Sequence, residues 1–180
     1  SRRVGGIEQE WVPLEEIAPV MLRSVVAAED VQFCRHWGLD ISAIRAALEE
    51  GSGRGASTIS QQTAKNVYLW HGRSWLRKAL EAGWTPLIEA IWGKERILEV
   101  YLNVAEFDEG VFGVEAAAQH YFGVPARDLS ALQAARLAAI LPNPKDWSAS
   151  EPSDWVRSRT RSIMDGAQVI DRDGRADCFQ

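Results

Sequence analysis

Apolar residues recur every three or four positions along most of the chain, which is the spacing of an amphipathic α-helix. In the segment DISAIRAALEE, this spacing predicts a helix with Asp40 as its N-cap and Ile41, Ile44 and Leu48 on one stripe. Six further segments show the same spacing: PVMLRSVVAAED, STISQQTAKNVYLW, KERILEVYLN, FGVEAAAQHYFG, LSALQAARLAAILPNP and SDWVRSRTRSIMDGAQVI. The sequence shows no strand ladder and no internal repeat. The predicted fold class is therefore mostly α.

The longest predicted helix runs from Ser74 to about Trp92, with a kink at Pro86. The spacing assigns its apolar stripe to the core, and the stripe consists of Leu76, Leu80, Trp84, Leu87 and Ile91. Four of the eight tryptophans lie in this part of the chain, namely Trp70, Trp75, Trp84 and Trp92. Residues 65–96 also hold six Lys or Arg against three Glu. Such a segment suits either a membrane surface or a core helix with a solvated basic face, and both interpretations stay open.

Composition limits the class of protein. With 180 residues, 46% apolar and 25% charged, the chain fits a single globular domain over residues 1–180 that buries a proper core. Its net charge of −5 argues against general nucleic-acid binding. No apolar run approaches the ~20 residues of a membrane span. The chain is therefore expected to be either a complete soluble protein or a fragment cut just after an anchor.

The two cysteines, Cys34 and Cys178, lie far apart in the sequence. No CxxC or HxxxH spacing accompanies them, so they indicate neither a disulfide scaffold nor a metal site. Cysteine content therefore does not decide the compartment.

Two carboxylates, Glu29 and Asp30, end the first apolar helix. Acids at a helix C-terminus oppose the helix dipole, so their presence there can mark a functional site, although a surface acid pair beside a turn is an equal alternative. Phe33, His36 and Gly38 follow in that turn. Taken alone, His36 is a structural residue of the turn rather than a catalytic one.

The segment GASTISQQTAKN is a glycine-rich loop that opens a helix. Ser57 or Thr58 is the predicted N-cap, and the backbone N–H groups at such a helix start are a natural anion site. Lys65 lies two turns further along, past Gln61 and Gln62. The segment is not a nucleotide-binding P-loop, because the GxxxxGK[ST] pattern is absent. The alternative is a polar surface helix with a capping serine.

Arg73, Arg77 and Glu81 are spaced four residues apart, so they share one helix face if the long helix includes Arg73. A carboxylate between two guanidinium groups suits an anion-binding site. It also suits a surface ladder of salt bridges, and the spacing alone favours that alternative.

Five segments together resemble the motifs of one enzyme family, the peptidoglycan glycosyltransferases. In the order found in that family they are EDVQFCRHWG, GASTISQQTAKN, RKALE, KERILEVYLNVAEF and GVFGVEAAAQHYFG. The resemblance runs from about Val12 to Asp146, and the size of the chain is similar to that of the monofunctional biosynthetic enzymes. It implies a lysozyme-like fold with a large lobe and a smaller membrane-facing jaw at about residues 40–75. It also implies location at the periplasmic face of the bacterial inner membrane, through an N-terminal helix that is missing from this chain.

The resemblance further implies that the protein polymerises lipid II into β-1,4-linked glycan, with release of undecaprenyl pyrophosphate and inversion at MurNAc C1. Glu29 is then the base that takes the proton of the acceptor hydroxyl. Glu81 is the second essential glutamate, which orients the cations or a metal-bound diphosphate. Lys65 and Arg73 match positions that contact the pyrophosphate. The other residues implied to bind substrate are Ser57, Thr58, Gln61, Gln62, Asn66, Arg77, Lys78, Asp30, Phe33 and His36.

This chemistry requires no cofactor, although a divalent cation such as Mg²⁺ is plausible on the substrate diphosphate. The sequence contains no dedicated cluster of metal ligands. The expected partners are lipid II, the growing glycan strand and the bilayer surface, together with cell-division or cell-wall synthesis proteins, and no nucleic acid.

Two other functions remain as alternatives. A muramidase or lytic transglycosylase of the same broad fold needs a general acid for an alkoxide leaving group, and it has no use for a row of cations. A non-catalytic glycan-binding module tolerates loss of Glu29 or Glu81, yet both carboxylates are present.

Overall fold

The structure is a computed structural model that describes residues 2–4, 6–49, 57–69 and 75–180. Within these ranges the chain is mostly helical, as the spacing of apolar residues predicts. The helices are α1 Pro19–Glu29, α2 Ile41–Glu49, α3 Ile59–Tyr68, α4 Trp75–Ile91, α5 Lys94–Val104, α6 Val114–Phe122, α7 Ala131–Ile140 and α8 Asp154–Arg172. The mostly-α fold class is confirmed. The predicted glycine loop GSGRG at residues 51–55 lies outside the described residues, and so does the stretch 70–74, which includes Trp70 and Arg73.

Local side-chain chemistry sets several helix starts. Thr58 is the N-cap of α3: its hydroxyl accepts a hydrogen bond from the backbone N–H of Gln61 at 3.1 Å, and the Gln61 side chain accepts one from the backbone of Thr58 at 3.1 Å. Such a capping box satisfies two otherwise unpaired N–H groups. Ser130 begins α7 with the same box, and Ser153 caps α8. The helix start predicted at residues 57–58 is confirmed.

The helices pack as two groups. Helix α1 packs against α7 and α8, whereas α3 packs against α4 and α5. Helices α1, α5, α7 and α8 contribute buried apolar side chains to one core, which include Met21, Leu98, Tyr101, Leu137 and Ile170. The C-terminus of α1 lies beside the N-terminus of α3, because Asp30 accepts a hydrogen bond from the backbone N–H of Ile59. The two groups therefore meet where the two predicted acids lie.

A small sheet corrects the expectation that the chain has no strand ladder. Its strands are β1 Arg2–Val4, β2 Ile7–Gln9, β3 Glu106–Asp108 and β4 Val111–Phe112, in the order β1-β2-β4-β3. β2 and β4 are parallel, and the other two pairs are antiparallel. Strands of two or three residues are too short to show a period of two in the sequence. Gly113, which follows β4, has φ +85°, and a Cβ there would lie 2.8 Å from the carbonyl oxygen of Asn103.

The apolar stripe of α4 is not buried, which makes its assignment to the core wrong. The side chains of the stripe are exposed to solvent, namely Leu76, Leu80, Trp84, Leu87 and Ile91. The helix instead buries Glu81, Thr85 and Ile88. Periodicity identifies the apolar face of a helix, but the packing partner decides which face is covered, and α3 meets α4 on its more polar side.

Cys34 and Cys178 form a disulfide, which the sequence did not indicate. It joins the turn after α1 to the C-terminal segment across a sequence separation of 144 residues. Beside it, Phe33 and Phe179 pack with their ring centres 6.2 Å apart, and both are buried. Partners so far apart in sequence have no spacing signature, because only the fold brings them together.

Across the described residues, no helix combines the length and the apolar character that crossing a bilayer demands.

Replacing both Cys34 and Cys178 with serine is expected to lower the free energy of unfolding by about 2–5 kcal/mol, because the disulfide closes a long loop and restricts the unfolded chain. Urea denaturation followed by circular dichroism measures the difference. A reducing agent is the control: it should destabilise the wild type by a similar amount and leave the double variant unchanged. A wild type that is insensitive to reductant would contradict the prediction.

Candidate active site

Glu29 is the last residue of α1, and its side chain is only 13% exposed. Each of its carboxylate oxygens has a partner from a different helix. Oε2 accepts a hydrogen bond from Nε2 of Gln62 on α3 at 3.0 Å, and Oε1 lies 3.6 Å from Nη2 of Arg159 on α8. The carboxylate is therefore held between the two helix groups in one orientation.

Burial raises the pKa of Glu29 above the ordinary value for a glutamate. The hydrogen bond from Gln62 and the positive charges of Arg159 and Lys65 oppose this rise, whereas the neighbouring Asp30 adds to it. A carboxylate with a raised pKa is a stronger base than an exposed one. Glu29 is therefore suited to accept a proton from a hydroxyl group.

Asp30 has a different environment from that of its neighbour. Its oxygens lie 2.8 and 2.9 Å from Nε2 of His36, and one of them accepts the backbone N–H of Ile59 at 3.0 Å. Nδ1 of His36 accepts a hydrogen bond from the backbone of Gly38, so Nε2 carries the proton that is donated to Asp30. Phe33 packs edge-on against the His36 ring. These contacts make His36 a structural residue of the turn.

Glu81 lies at the centre of a second cluster. Its buried carboxylate forms a salt bridge with Lys78, and its other oxygen lies 3.4 Å from Nη1 of Arg77. Burial lowers the pKa of Lys65; Arg77 and Lys78 lower it further, whereas Glu81 opposes the change. Three cations therefore surround one carboxylate, which leaves a positive excess suited to an anion.

A cavity of about 450 Å³ lies beside both clusters: Gln62 and Arg77, the partners of Glu29 and Glu81, line it, whereas the two carboxylates themselves do not. Part of its wall comes from α3 and α4, and includes Gln62, Lys65, Asn66 and Arg77. Another part comes from α5, β3, β4 and the segment after α7; it includes Tyr101, Glu106, Phe112, Pro142 and Pro144. The cavity therefore has a cationic wall and a wall rich in aromatic and proline residues.

The structure brings some of the predicted substrate-binding residues to this cavity and puts others behind it. Gln62, Lys65, Asn66 and Arg77 line it, and the amine of Lys78 lies 3.3 Å from the hydroxyl of Ser57 nearby. The other predicted substrate-binding residues that the structure describes make supporting contacts and do not line the cavity. Thr58, Gln61, Asp30 and Phe33 are buried, and His36 is partly buried. Arg73 lies outside the described residues. A direct contact of each residue with substrate stays a prediction.

Comparison with known proteins identifies the family. A family model described as Transglycosylase matches residues 2–168. The chain belongs to the transglycosylase family. Three similar proteins each bear the name biosynthetic peptidoglycan transglycosylase. The relative from Jannaschia sp. (strain CCS1) is 65% identical over 98% of this chain and 74% of its own length. Those from Rhodospirillum centenum and Caulobacter vibrioides are 52% and 51% identical, over 97% and 96% of this chain and 77% of their own lengths.

Two residues of this transglycosylase site were not predicted from the sequence. Arg159 contacts Glu29, and its Nη2 also donates to the backbone oxygen of Ala28 at 3.3 Å. The hydroxyl of Tyr101 donates to Oε1 of Gln62 at 3.3 Å; its pKa is raised by burial and by the charge of Glu29. Tyr101 lies in KERILEVYLN, part of one of the five segments that resemble the family motifs, so this motif could have indicated it. Arg159 is one of three arginines at alternate positions, 157, 159 and 161, and only packing shows which one meets α1.

The part of the chain that the structure describes contains no group of three or more His, Cys, Asp or Glu side chains able to hold a metal ion.

Replacing Glu29 with glutamine is expected to stabilise the folded protein near pH 7. The pKa of Glu29 is higher in the folded protein than in the unfolded chain. As the pH rises from the lower of these two pKa values to the higher one, the carboxyl ionises more readily in the unfolded chain, and the folded protein loses stability. Glutamine removes this loss and still accepts the hydrogen bond from Gln62. The gain should shrink as the pH falls towards 4.5, the ordinary value for this carboxyl.

The measurement is the melting temperature of Glu29→Gln and wild type over a series of pH values. The exposed Glu151 offers a matched control, since Glu151→Gln also removes one negative charge. A gain for Glu29→Gln that is as large at pH 5 as at pH 7 would contradict the prediction.

Proposed function

We propose that this protein is a peptidoglycan glycosyltransferase that polymerises lipid II into β-1,4-linked glycan and releases undecaprenyl pyrophosphate, with inversion at MurNAc C1. The observation that carries the proposal is the pair of clusters beside one cavity: the buried base Glu29, and the cations Lys65, Arg77 and Lys78 around Glu81. The relatives named biosynthetic peptidoglycan transglycosylase and the match to the family model support it.

Glu29 is the general base of the proposed reaction. The 4-hydroxyl of an acceptor sugar is a weak nucleophile, so a carboxylate must take its proton as it attacks C1 of the donor. Gln62 and Arg159 hold the two oxygens of Glu29 and limit its rotation. The C–O bond to the diphosphate breaks as the new glycosidic bond forms, and the proton passes to Glu29.

The cations stabilise the leaving group. Pyrophosphate leaves as a stable anion, so it needs positive charge more than it needs a proton. Lys65 and Arg77 line the cavity, and Glu81 holds Arg77 and Lys78 beside it. A Mg²⁺ ion on the diphosphate is compatible with this arrangement and forms part of the proposal. A lytic enzyme, which expels an alkoxide, has no use for these cations.

The proposed location is the periplasmic face of the bacterial inner membrane. The exposed stripe of α4 offers an apolar face to a bilayer, and Trp84 on it stacks on Tyr68 of α3 with the ring centres 5.1 Å apart. The disulfide between Cys34 and Cys178 supports an oxidising compartment such as the periplasm. A jaw at about residues 40–75 within a single domain, and contacts with other cell-wall synthesis proteins, belong to the same proposal.

Glu29→Gln is expected to lower the rate of lipid II polymerisation by about 10²- to 10⁴-fold, because glutamine keeps the shape of the side chain but does not take the proton. The assay is glycan formation from lipid II in detergent, with lipid II binding and turnover of preformed cell wall measured alongside. Full activity of the variant would overturn the role of Glu29. If the wild type binds lipid II without turning it over, the protein is a binding module. If the wild type cleaves preformed cell wall, it is a lytic enzyme.

Leu87→Asp is expected to weaken binding to lipid vesicles by about 10-fold or more, because it replaces an apolar side chain with a charge on the proposed membrane face. Leu132→Asp on α7 is the matched control, since Leu132 is 45% exposed and Leu87 is 46% exposed. Co-sedimentation with vesicles of phosphatidylethanolamine and phosphatidylglycerol measures both. Equal losses in the two variants, or none in either, would argue against α4 as the membrane face.

A further inference from the structure

Trp155 lies on the first turn of α8 and is 53% exposed. It packs against Trp147, with the ring centres 4.4 Å apart and the rings tilted by 42°. Trp147 is partly buried and packs against the core, so it gives Trp155 a firm support. An exposed indole held in place in this way presents a preorganised aromatic surface.

One side-chain contact and one stretch of chain link this pair to the active site. The guanidinium carbon of Arg159 lies 5.8 Å from the centre of the Trp155 ring, while Nη2 of the same arginine lies 3.6 Å from Oε1 of Glu29. Trp147 belongs to the segment whose Pro142 and Pro144 line the cavity, and its backbone N–H donates to the oxygen of Asn143 at 3.1 Å. The aromatic pair therefore lies next to Arg159, which contacts Glu29, and the chain connects it to the part of the cavity wall formed by Pro142 and Pro144.

The charges around the cavity give the substrate a direction. The cations Lys65 and Arg77 lie on the wall formed by α3 and α4, where a diphosphate is stabilised. In the arrangement that we consider, the sugars attached to it extend along the other wall, towards Pro142 and Pro144. A growing glycan is longer than the cavity, so its earlier sugars leave past the segment that carries Trp147.

We propose that Trp155, supported by Trp147 and flanked by Arg159, is a stacking platform for the glycan strand where it leaves the cavity. The proposal rests on the proposed function and adds a binding site outside the cavity. A pyranose ring has an apolar face of C–H groups, which packs well on the electron-rich face of an indole. The guanidinium of Arg159 offers hydrogen-bond donors to sugar oxygens beside the ring.

Trp11 offers a matched control. It is 47% exposed, and the guanidinium carbon of Arg96 lies 5.4 Å from the centre of its ring. Trp11 therefore has a similar exposure and a similar cation, but it has no contact with Glu29 or with the cavity wall among the described residues. Trp155→Phe keeps an aromatic face and tests whether the ring itself is needed.

The first measurement is the affinity for lipid-free GlcNAc–MurNAc oligosaccharides, by isothermal titration calorimetry. Trp155→Ala is expected to bind them about three- to ten-fold more weakly than the wild type, the size of one aromatic contact. Trp155→Phe should stay within about two-fold, and Trp11→Ala should be unchanged. A wild type that binds no oligosaccharide, or a Trp155→Ala variant that binds them equally well, would overturn the proposal.

The second measurement is the length of the glycan made from lipid II. Trp155→Ala should give shorter strands and should raise KM for glycan-bearing donors more than it lowers kcat, whereas Trp11→Ala should give wild-type lengths. Unchanged lengths together with weaker vesicle binding would reassign Trp155 to the membrane and overturn the platform. A wild type that binds oligosaccharides through Trp155 but does not polymerise lipid II would refute the proposed function and leave the platform standing.

Discussion

The geometry of the site depends on the buried carboxylate of Asp30. It accepts hydrogen bonds from Nε2 of His36 and from the backbone N–H of Ile59, and so ties the turn after α1 to the start of α3. An acid at the C-terminus of α1 opposes the dipole of that helix, but this carboxylate also lies at the N-terminus of α3, where the dipole favours it. Because Asp30 fixes the two helix ends together, the adjacent Glu29 lies within hydrogen-bond reach of Gln62, which is in the first turn of α3.

Features that depend on neighbours in sequence could be predicted, and the start of α3 is the best example. Thr58 and Gln61 make their capping box within four residues, so the sequence contains all the information. The orientation of α4 is the opposite case. Its apolar stripe was correctly identified as a stripe, but whether Leu87 or Glu81 is covered depends on how α3 packs against the helix.

Other features depend on pairs of residues that are far apart in the sequence, so the sequence did not indicate them. The disulfide joins residues 144 positions apart, and Arg159 reaches Glu29 from the last helix of the chain. The motifs of the family marked Glu29, Gln62 and Lys65, whereas nothing in the spacing of Arg157, Arg159 and Arg161 distinguishes the one that faces α1. Sequence therefore indicated the chemistry of the site, and packing determined which charges tune it.

Burial moves the two principal charged groups of the site in opposite directions, raising the pKa of Glu29 and lowering that of Lys65. Both changes disfavour the charged form, so burial opposes the ionisation of both groups. Arg77 and Lys78 add repulsion to Lys65, whereas Glu81 and Glu29 oppose it. A diphosphate bound beside these cations would remove that repulsion and favour the charged lysine. In the proposed reaction, substrate binding and the charge state of the site are thus coupled, because the diphosphate that leaves is also the group that balances the cations of the cavity.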